Sequence, residues 1–245
     1  MSDDRPTTAD VLAAEHRWYH VVELEPGVTT PGFIDLRPHV DGAALPADLA
    51  GLRALDIGTF DGFWAFELER RGASVIGVDV DQIPPPDTPR SRWAAVQEEL
   101  AGAVPGTGFG LLKDYFGSSV QRRSINVYDL TPESVDGHVD LVFVGAMLLH
   151  LRDPVGALER IREVLRPGGR LVLFEPIDKK LSRRSEPAAR FLQGGTVWTW
   201  WYPNAACLRD WVTTAGFTEL TEHGTRDAVD ATGNRQRLLA LHARA

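Results

Sequence analysis

Short apolar runs alternate with segments of helical periodicity along most of the chain. The first run, Ala54 to Ile57, is typical of a buried strand, and a helical segment from about Phe63 to Arg71 follows a glycine turn. A second apolar run, Ser74 to Val78, ends in Asp79. Strand, glycine turn, helix, strand and acid together indicate a nucleoside site, because glycines admit the ligand and the acid accepts from ribose hydroxyls. Taken alone, the stretch also fits an ordinary βαβ unit without a ligand.

The flanking segments extend this pattern. A helix capped by Thr7 or Thr8 is predicted to run through about Arg17, ahead of a turn-rich segment that contains Trp18, Tyr19 and His20. Two further helices, 92–101 and 109–120, fall in an insertion of about 84–120 that could build a substrate pocket or only add a helix layer. A short third strand is predicted at 124–127. These assignments divide the chain into a cap extension, 1–50, and a main domain, 51–245.

The second half predicts a regular alternation of strands and helices. An apolar strand at 139–144 precedes a helix that Asp153 caps and Pro154 starts, and a fifth strand covers 170–174. The polar stretch 178–190 suggests a solvated loop, with an anion-binding lid as the alternative. Asn204 is a cap for a helix at 205–215, and strands at 217–225 and 237–243 are predicted to close the chain as a hairpin.

Composition narrows the function classes. The 245 residues carry a net charge of −8, which disfavours general nucleic-acid binding because phosphate contacts need clustered Lys and Arg. No apolar run is long enough to span a bilayer, and the polar, acidic start does not resemble a signal peptide. The single cysteine, Cys207, excludes an internal disulfide and a Cys-rich zinc site, and no cluster of ligands at metal spacing is present. We therefore expect a cytoplasmic protein without a metal or a membrane partner.

Two motifs resemble those of class I S-adenosylmethionine-dependent methyltransferases. The run DIGTFDG, Asp56 to Gly62, resembles their first motif, D/E-x-G-x-G-x-G, with Phe60 in place of the middle glycine. The segment LLHLRDPVGALERIREVLRPGGRLVLFEP resembles their fourth and fifth motifs, including an L-x-P-G-G break before an apolar strand. The resemblance implies an α/β, Rossmann-like fold with a seven-stranded, mostly parallel sheet and an antiparallel last strand. It also implies S-adenosyl-L-methionine as the cofactor.

The same resemblance suggests which residues hold the cofactor. Gly58 and Gly62 would shape the turn beneath it, Asp56 would help to hold its methionine end, and Asp79 would bind its ribose. Asp129, which follows the third strand, would accept from the adenine amino group. The complete predicted cofactor set is Asp56, Gly58, Thr59, Phe60, Gly62, Asp79, Val80, Tyr128, Asp129 and Gly145.

A closer resemblance concerns one branch of this class. The N-terminal W-Y-H-x-x-E-L…T-P-G-x-x-D pattern and the later W-x-x-P-N…AGF segment resemble the bacterial tRNA wobble-uridine carboxymethyltransferase and its small-molecule relatives. The tRNA enzyme holds a carboxylated cofactor with a lysine, a tyrosine and an arginine. Here Leu149 stands at the tyrosine position, no lysine near Trp18 matches, and Arg237 is the candidate for the arginine. This favours the ordinary methyl cofactor.

Methyl transfer needs an aligned nucleophile and, for a hydroxyl or a protonated amine, a base. His150, at the carboxyl end of the fourth strand, is the first catalytic candidate, with a structural histidine as the equal alternative; His20 is the second candidate. Five aromatic residues are predicted to form the substrate pocket: Trp18, Tyr19, Trp198, Trp200 and Trp201. For each group, simple packing onto the core is the competing interpretation.

Three functions remain open at this point. The leading hypothesis is a methyltransferase, monomeric or homodimeric, that acts on O or N of a small-molecule acceptor. The second is a tRNA-modifying relative, which would require six basic residues to lie on one face: Arg122, Arg123, Lys179, Lys180, Arg183 and Arg184. The third is a non-catalytic binding module, and the intact Asp56, Gly58 and Asp79 argue against it.

Overall fold

A computed structural model describes residues 5–193 and 199–245. Within this part of the chain six α-helices and eleven strands follow one another. The helices are α1 (Thr8–Ala13), α2 (Phe63–Arg70), α3 (Trp93–Glu99), α4 (Thr107–Phe116), α5 (Pro154–Val164) and α6 (Ala205–Thr214). The strands are β1 (Glu23–Glu25), β2 (Val28–Thr29), β3 (Arg53–Ile57), β4 (Ser74–Asp79), β5 (Gln121–Ser124), β6 (Val139–Gly145), β7 (Leu165–Pro176), β8 (Ala189–Phe191), β9 (Trp201–Pro203), β10 (Thr218–Val229) and β11 (Arg235–Arg244).

Seven strands form the central sheet in the order β10-β11-β7-β6-β3-β4-β5. The five strands from β7 to β5 are parallel, whereas β11 runs antiparallel to both of its neighbours. This confirms the predicted Rossmann-like sheet with an antiparallel closing strand. The chain leaves β3 and β6 towards opposite edges of the sheet, so the crevice at their carboxyl ends is the position where open α/β sheets bind ligands.

Apolar side chains cover both faces of the sheet. One cluster joins the N-terminal cap, α2 and α4 to the sheet and includes Trp18, Phe63, Leu68, Phe143 and Phe174. The other joins α5 and α6 to the opposite face. A parallel strand that is buried on both faces requires a nearly continuous apolar sequence, and this is why the central strands were readable as apolar runs.

The cap crosses the carboxyl end of the sheet in an extended conformation. Its two arms bond to each other, with Ile34 N donating to Tyr19 O and Val21 N donating to Ile34 O. Ala231, in the turn between β10 and β11, donates to Phe33 O and so ties the cap to the closing hairpin. Since His20 bonds to Asp61 in the turn after β3 and shares a cleft with Gly145 at the end of β6, the cap lies over the crevice between these two strands.

Several predicted boundaries were wrong: helix α4 ends at Phe116 and not at 120, and strand β10 continues to Val229 and not only to 225. The N-terminal helix ends at Ala13, because the chain must extend after Ala14 to bury Trp18. The third strand is the polar segment Gln121–Ser124 and not 124–127, whose apolar residues Ile125 and Val127 instead pack in the core cluster that includes α5. Strand β7 begins at Leu165 and not at Arg170, since the predicted Pro-Gly-Gly break is an irregularity of register within the strand. None of the helices in the described ranges has the length and hydropathy that a bilayer crossing requires.

Candidate active site

The glycine turn lies between β3 and α2, where the first motif was recognised. Gly58 and Gly62 have φ angles of 76° and 89°, in the left-handed region that favours glycine. A Cβ at Gly58 would come within 2.8 Å of Met147 Cγ, so the turn after β3 is packed directly against the turn after β6. Phe60 has a φ of 47° and is 46% exposed. It occupies the middle-glycine position by adopting a left-handed conformation.

Asp79 fixes this turn from the end of β4. Its Oδ2 atom accepts from Phe60 N at 2.7 Å, and Oδ1 accepts from Val80 N at 2.7 Å. Burial raises the pKa of the Asp79 carboxyl above its ordinary value. The acid predicted to bind a ribose thus also holds the predicted cofactor turn in place.

Asp56 is the second acid of the motif and is almost completely buried. Its Oδ2 atom has no hydrogen-bond partner in the described chain, and burial raises its pKa to about 7. An uncompensated buried carboxylate is costly unless a cation or a donor reaches it. The amino-acid end and the ribose of S-adenosylmethionine offer such donors, so Asp56, Asp79 and the glycine turn fit this cofactor.

Other members of the predicted cofactor set lie in more varied surroundings. Thr59 is buried, and a Cβ on Gly77 of β4 would lie 2.8 Å from its Oγ1 atom, so Thr59 packs against the sheet. Asp129 is exposed in a short 3-10 helix, Val127–Asp129. The Tyr128 hydroxyl donates to Asp87 Oδ2 at 2.8 Å and accepts from Asp153 N at 3.1 Å. Tyr128 therefore joins the loops that follow β4, β5 and β6.

A narrow cleft with a free volume of about 10 Å³, room for about one water molecule, lies between the cap and the carboxyl end of the sheet. Tyr19 and His20 line it from the cap, Gly145 from the end of β6, and Gln236 from β11. The remaining lining is apolar apart from backbone and consists of Ile34, Leu36, Trp64, Ala146, Phe174 and Leu238. Gly145 has no room for a side chain, because a Cβ there would lie 2.8 Å from the Phe143 ring and 3.2 Å from Trp64 Nε1.

The predicted pocket residues separate into two groups. Tyr19 reaches the cleft, whereas Trp18 is buried against His16 in the core. Trp200 and Trp201 contact the loops beyond the end of the sheet, where their Nε1 atoms donate to Asp87 O and Arg152 O. Trp198 lies outside the described residues.

The two catalytic candidates also differ in setting. His150 is half-buried and ends a 3-10 helix, Leu148–His150, that follows β6. His20 is 6% exposed, and its Nδ1 atom lies 2.6 Å from Oδ1 of Asp61. The other Asp61 oxygen accepts from the backbone N–H groups of Tyr19 and His20. Asp61 therefore fixes the cap to the cofactor turn.

Sequence reasoning missed Asp61 and Glu175. Glu175 is buried at the carboxyl end of β7, and its Oε1 atom accepts from Met147 N at 2.8 Å and Leu148 N at 3.2 Å. Burial raises its pKa to about 8. The signal was available, since Glu175 ends an apolar strand with a carboxylate in the same way as Asp79 ends β4.

No set of three His, Cys, Asp or Glu side chains that could hold a metal ion occurs among the residues that the structure describes.

Comparison with known proteins places this geometry in a family. The methyltransferase domain family matches residues 36–222. The tRNA U34 carboxymethyltransferase of Methylococcus capsulatus is 31% identical over 182 residues, which cover 74% of this chain and 48% of that protein. The ubiquinone biosynthesis O-methyltransferase of Acinetobacter baylyi is 30% identical over 131 residues, which cover 54% of this chain and 46% of that protein. The chain spans about half the length of these curated relatives.

Solved structures share the fold. The N-terminal domain of EvdMO1 with SAH bound has a TM-score of 0.60 at 17% identity, covering 97% of this chain and 94% of that one. An S-adenosylmethionine-dependent methyltransferase from Mesorhizobium loti has a TM-score of 0.51 at 13% identity, covering 86% and 97%. Since the family match spans most of the sheet and both motifs, the chain belongs to the methyltransferase domain family, a family of class I, S-adenosylmethionine-dependent methyltransferases.

Proposed function

We propose that this chain transfers the methyl group of S-adenosylmethionine to an oxygen or nitrogen atom of a small molecule that binds beneath the cap. The observation that carries the proposal is the turn after β3, where the buried Asp56 carboxylate has an oxygen without a partner and Asp79 holds Phe60 N from the end of β4. The amino-acid end and the ribose of the cofactor offer donors to these carboxylates. The cap covers this turn, and the side chains beneath it are mainly aromatic and aliphatic, which suits a small acceptor better than a polyanion.

The cofactor supplies a methyl group on a positively charged sulfur, which is already an activated leaving group. The residues of this chain have to bind, orient and exclude water. Asp56 and Asp79 hold the polar ends of the cofactor, and the Gly58 turn admits it. Tyr19, Trp64 and Phe174 provide apolar surface that orients an acceptor and keeps water out of the cleft.

The alternative, modification of a tRNA wobble uridine, has less support. Arg122 and Arg123 lie on β5, whereas Lys179 and Arg183 lie beside β10 and β11. Strands β5 and β10 form opposite edges of the sheet, six strand spacings or roughly 29 Å apart. The six basic residues therefore do not form one phosphate-binding face. Arg122 and Arg123 are moreover paired with Asp81 and Asp136.

The carboxylated cofactor also lacks its expected anchors. Leu149, at the position of the tyrosine, is buried and has no hydroxyl to offer. Arg237, the candidate arginine, forms a two-pronged ion pair with Asp227, with distances of 2.7 Å and 2.9 Å. These contacts favour the ordinary methyl cofactor.

A calorimetric titration tests the proposal. The full chain is titrated with S-adenosylmethionine, with its demethylated product and with the carboxylated analogue, and an acceptor screen follows with radiolabelled methyl donor. We expect binding of the first two ligands and methylation of an uncharged small molecule. A preference for the carboxylated analogue together with transfer to tRNA would overturn the proposal. Failure of all three ligands to bind would favour a binding module without catalysis.

A further inference from the structure

A second cavity, with a free volume of about 340 Å³, lies on the face of the sheet that is turned away from the cap. Its floor includes Ile177, directly after β7, and Leu239 of β11, and both belong to the buried cluster that packs against α5 and α6. Leu238, the neighbour of Leu239, instead lines the narrow cleft beneath the cap. Because successive side chains of a strand point to opposite faces of a sheet, the sheet separates the two spaces.

Polar and charged side chains surround this apolar floor. The rest of the lining comes from the loop after β7, from the start of α6 and from the closing hairpin, and consists of Lys179, Ser182, Arg183, Ala205, Glu222, Thr225 and Arg237. The loop carries the cations for which the sequence left two interpretations open, a solvated loop and an anion-binding lid. Lys179 and Arg183 line the cavity, whereas Lys180 and Arg184 do not. The structure therefore divides these four cations into two pairs with different surroundings.

The rim of the cavity carries more positive than negative charge. Its one acid, Glu222, is paired with Arg209. Asp227, at the edge of the cavity, accepts from Nε and Nη2 of Arg237 at 2.7 Å and 2.9 Å. Within residues 5–193 and 199–245, neither Lys179 nor Arg183 forms an ion pair or a side-chain hydrogen bond.

Asp227 does not neutralise this surplus. Arg237 and Arg235 both pair with it, and Lys179 acts on it only at longer range. One carboxylate is therefore shared among three cations. The cavity is a locally positive site on a chain whose net charge is −8.

The backbone of the loop that carries Lys179 and Arg183 is fixed. Asp178 is buried, its N–H donates to Pro203 O at 2.7 Å, and its carbonyl accepts from Ser182 N at 2.8 Å. The two cations are thus presented from backbone positions that are already ordered. Ordering of this kind lowers the entropic cost of binding a ligand.

We propose that this cavity binds a small aliphatic carboxylate, with its apolar chain on Ile177 and Leu239 and its charged end at Lys179 and Arg183. Hydrogen bonds between ionised partners are about twice as strong as those between neutral groups. The lining contains no aromatic ring, and its apolar members are aliphatic, which favours an aliphatic chain. A bare anion such as phosphate would leave this floor in contact with water. The site goes beyond the proposed methyl transfer, because the sheet separates it from the cleft beneath the cap.

The experiment uses the full-length protein and hexanoate as the probe. Hexan-1-ol has the same chain without the charge, acetate has the charge without the chain, and inorganic phosphate is a bare anion. Binding is measured by calorimetry and by 1H–15N NMR titration, which locates the ligand from the amide resonances that shift.

Two double variants form a matched pair. Lys179→Gln with Arg183→Gln removes the two cations of the lining, and Lys180→Gln with Arg184→Gln removes the same charges from neighbouring positions of the loop that lie outside it. A third variant, Thr225→Glu, places a negative charge on an exposed position of the rim. All five side chains are exposed, so the fold should tolerate these changes.

Hexanoate should shift the amide resonances of Ile177, Thr225 and Leu239 in the wild type. Its Kd should rise about tenfold or more in the variant without Lys179 and Arg183, because the ionised partners of the carboxylate are lost. Thr225→Glu should weaken binding as well, and the control pair should bind as the wild type does. Added salt should weaken the binding of hexanoate. Hexan-1-ol, acetate and phosphate should each bind more weakly than hexanoate.

Several results would overturn the inference. They are a wild type that does not bind hexanoate, equal affinities in the two double variants, or resonance shifts confined to the cap and the glycine turn. Binding of hexan-1-ol or phosphate as tight as that of hexanoate would also overturn it. The shift map of the wild type decides the location even where a variant does not fold. Failure of the wild type to bind S-adenosylmethionine would contradict the proposed function and leave this inference standing.

Discussion

The backbone N–H of Phe60 donates a 2.7 Å hydrogen bond to Oδ2 of Asp79, which joins the glycine turn to the end of the neighbouring strand. Asp79 therefore has two duties in the proposed site, because the same carboxylate that shapes the turn is available to a ribose. Removal of the charge on Asp79 should weaken its hydrogen bond to Phe60 N and its hydrogen bond to a ribose hydroxyl.

Asp79→Asn should weaken S-adenosylmethionine binding by about 10- to 100-fold, since hydrogen bonds to a charged group contribute about 1.5–3 kcal/mol. Calorimetry measures the change. Asp136→Asn is the control, because Asp136 lies before β6 at the other end of the sheet and pairs only on the surface with Arg123. Equal affinities for the two variants would contradict a role of Asp79 in cofactor binding.

Phe60 occupies a left-handed conformation that a β-branched residue adopts only with strain. The free energy of unfolding of Phe60→Val should therefore be at least about 1 kcal/mol lower than that of Phe60→Gly. Urea unfolding measures the difference. The same pair of substitutions at Phe191, an exposed residue of strand β8, should rank in the opposite order because strands disfavour glycine. If valine and glycine rank alike at both positions, the left-handed assignment at Phe60 is wrong.

Glu175 predicts a pH dependence of stability. Burial raises its pKa to about 8, well above the value in an unfolded chain, so the native state holds its proton more tightly. This contribution to stability is complete below the unfolded pKa, near 4.3, and is lost as the pH rises through 8. The free energy of unfolding should fall between those limits by up to ~1.4 kcal/mol per pH unit from this group.

Glu175→Gln should reduce this slope while its amide oxygen still accepts from Met147 N and Leu148 N. Part of the slope should remain, because Asp56 has a pKa raised to about 7 and contributes with the same sign. Urea unfolding from pH 5 to pH 9 measures it, with Glu163→Gln on the surface of α5 as the control. Identical slopes for the wild type and Glu175→Gln would show that Glu175 does not titrate in this range.

Asp87 connects three loops beyond the end of the sheet. Its Oδ2 atom accepts from the Tyr128 hydroxyl and from Arg152 N at 2.9 Å, and its carbonyl accepts from Trp200 Nε1. Asp87→Ala should lower the free energy of unfolding by about 1–3 kcal/mol, since it leaves the half-buried Tyr128 hydroxyl without an acceptor. Asp114→Ala, on an exposed position of α4, should have little effect.

A double-mutant cycle of Asp87→Ala with Tyr128→Phe isolates the contact. A coupling of at least about 0.5 kcal/mol is expected. Additive effects would mean that the hydroxyl and the carboxylate do not interact in solution.

Local chemistry made much of the fold predictable. The glycine turn, the apolar strands ending in acids and the caps Asp153 and Asn204 are signals contained within a few residues, and the structure confirms these caps. Strand β5 was not predicted from the sequence, because an edge strand has few apolar neighbours and its sequence, QRRS, is accordingly polar.

The arrangement of the site was harder to predict for a different reason. The partner of Asp61 lies 41 residues earlier in the chain, and no local pattern encodes a contact of that span. Trp200 and Trp201, which were predicted to line a substrate pocket or to close the core, are both half-buried. Their ring nitrogens, however, bond to Asp87 and Arg152, a choice that depends on how separate loops meet.

The pairing of Asp61 with the cap has a consequence for protein engineering. In a chimera that takes residues 1–50 from a relative without the matching histidine, the enclosed Asp61 carboxylate would lose its imidazole partner. Grafts that aim to change the acceptor should therefore move positions 19, 20 and 61 together. Gln236 and Leu238, on a strand that makes no contact with Asp61 in the hydrogen bonds described, are the positions open to independent redesign.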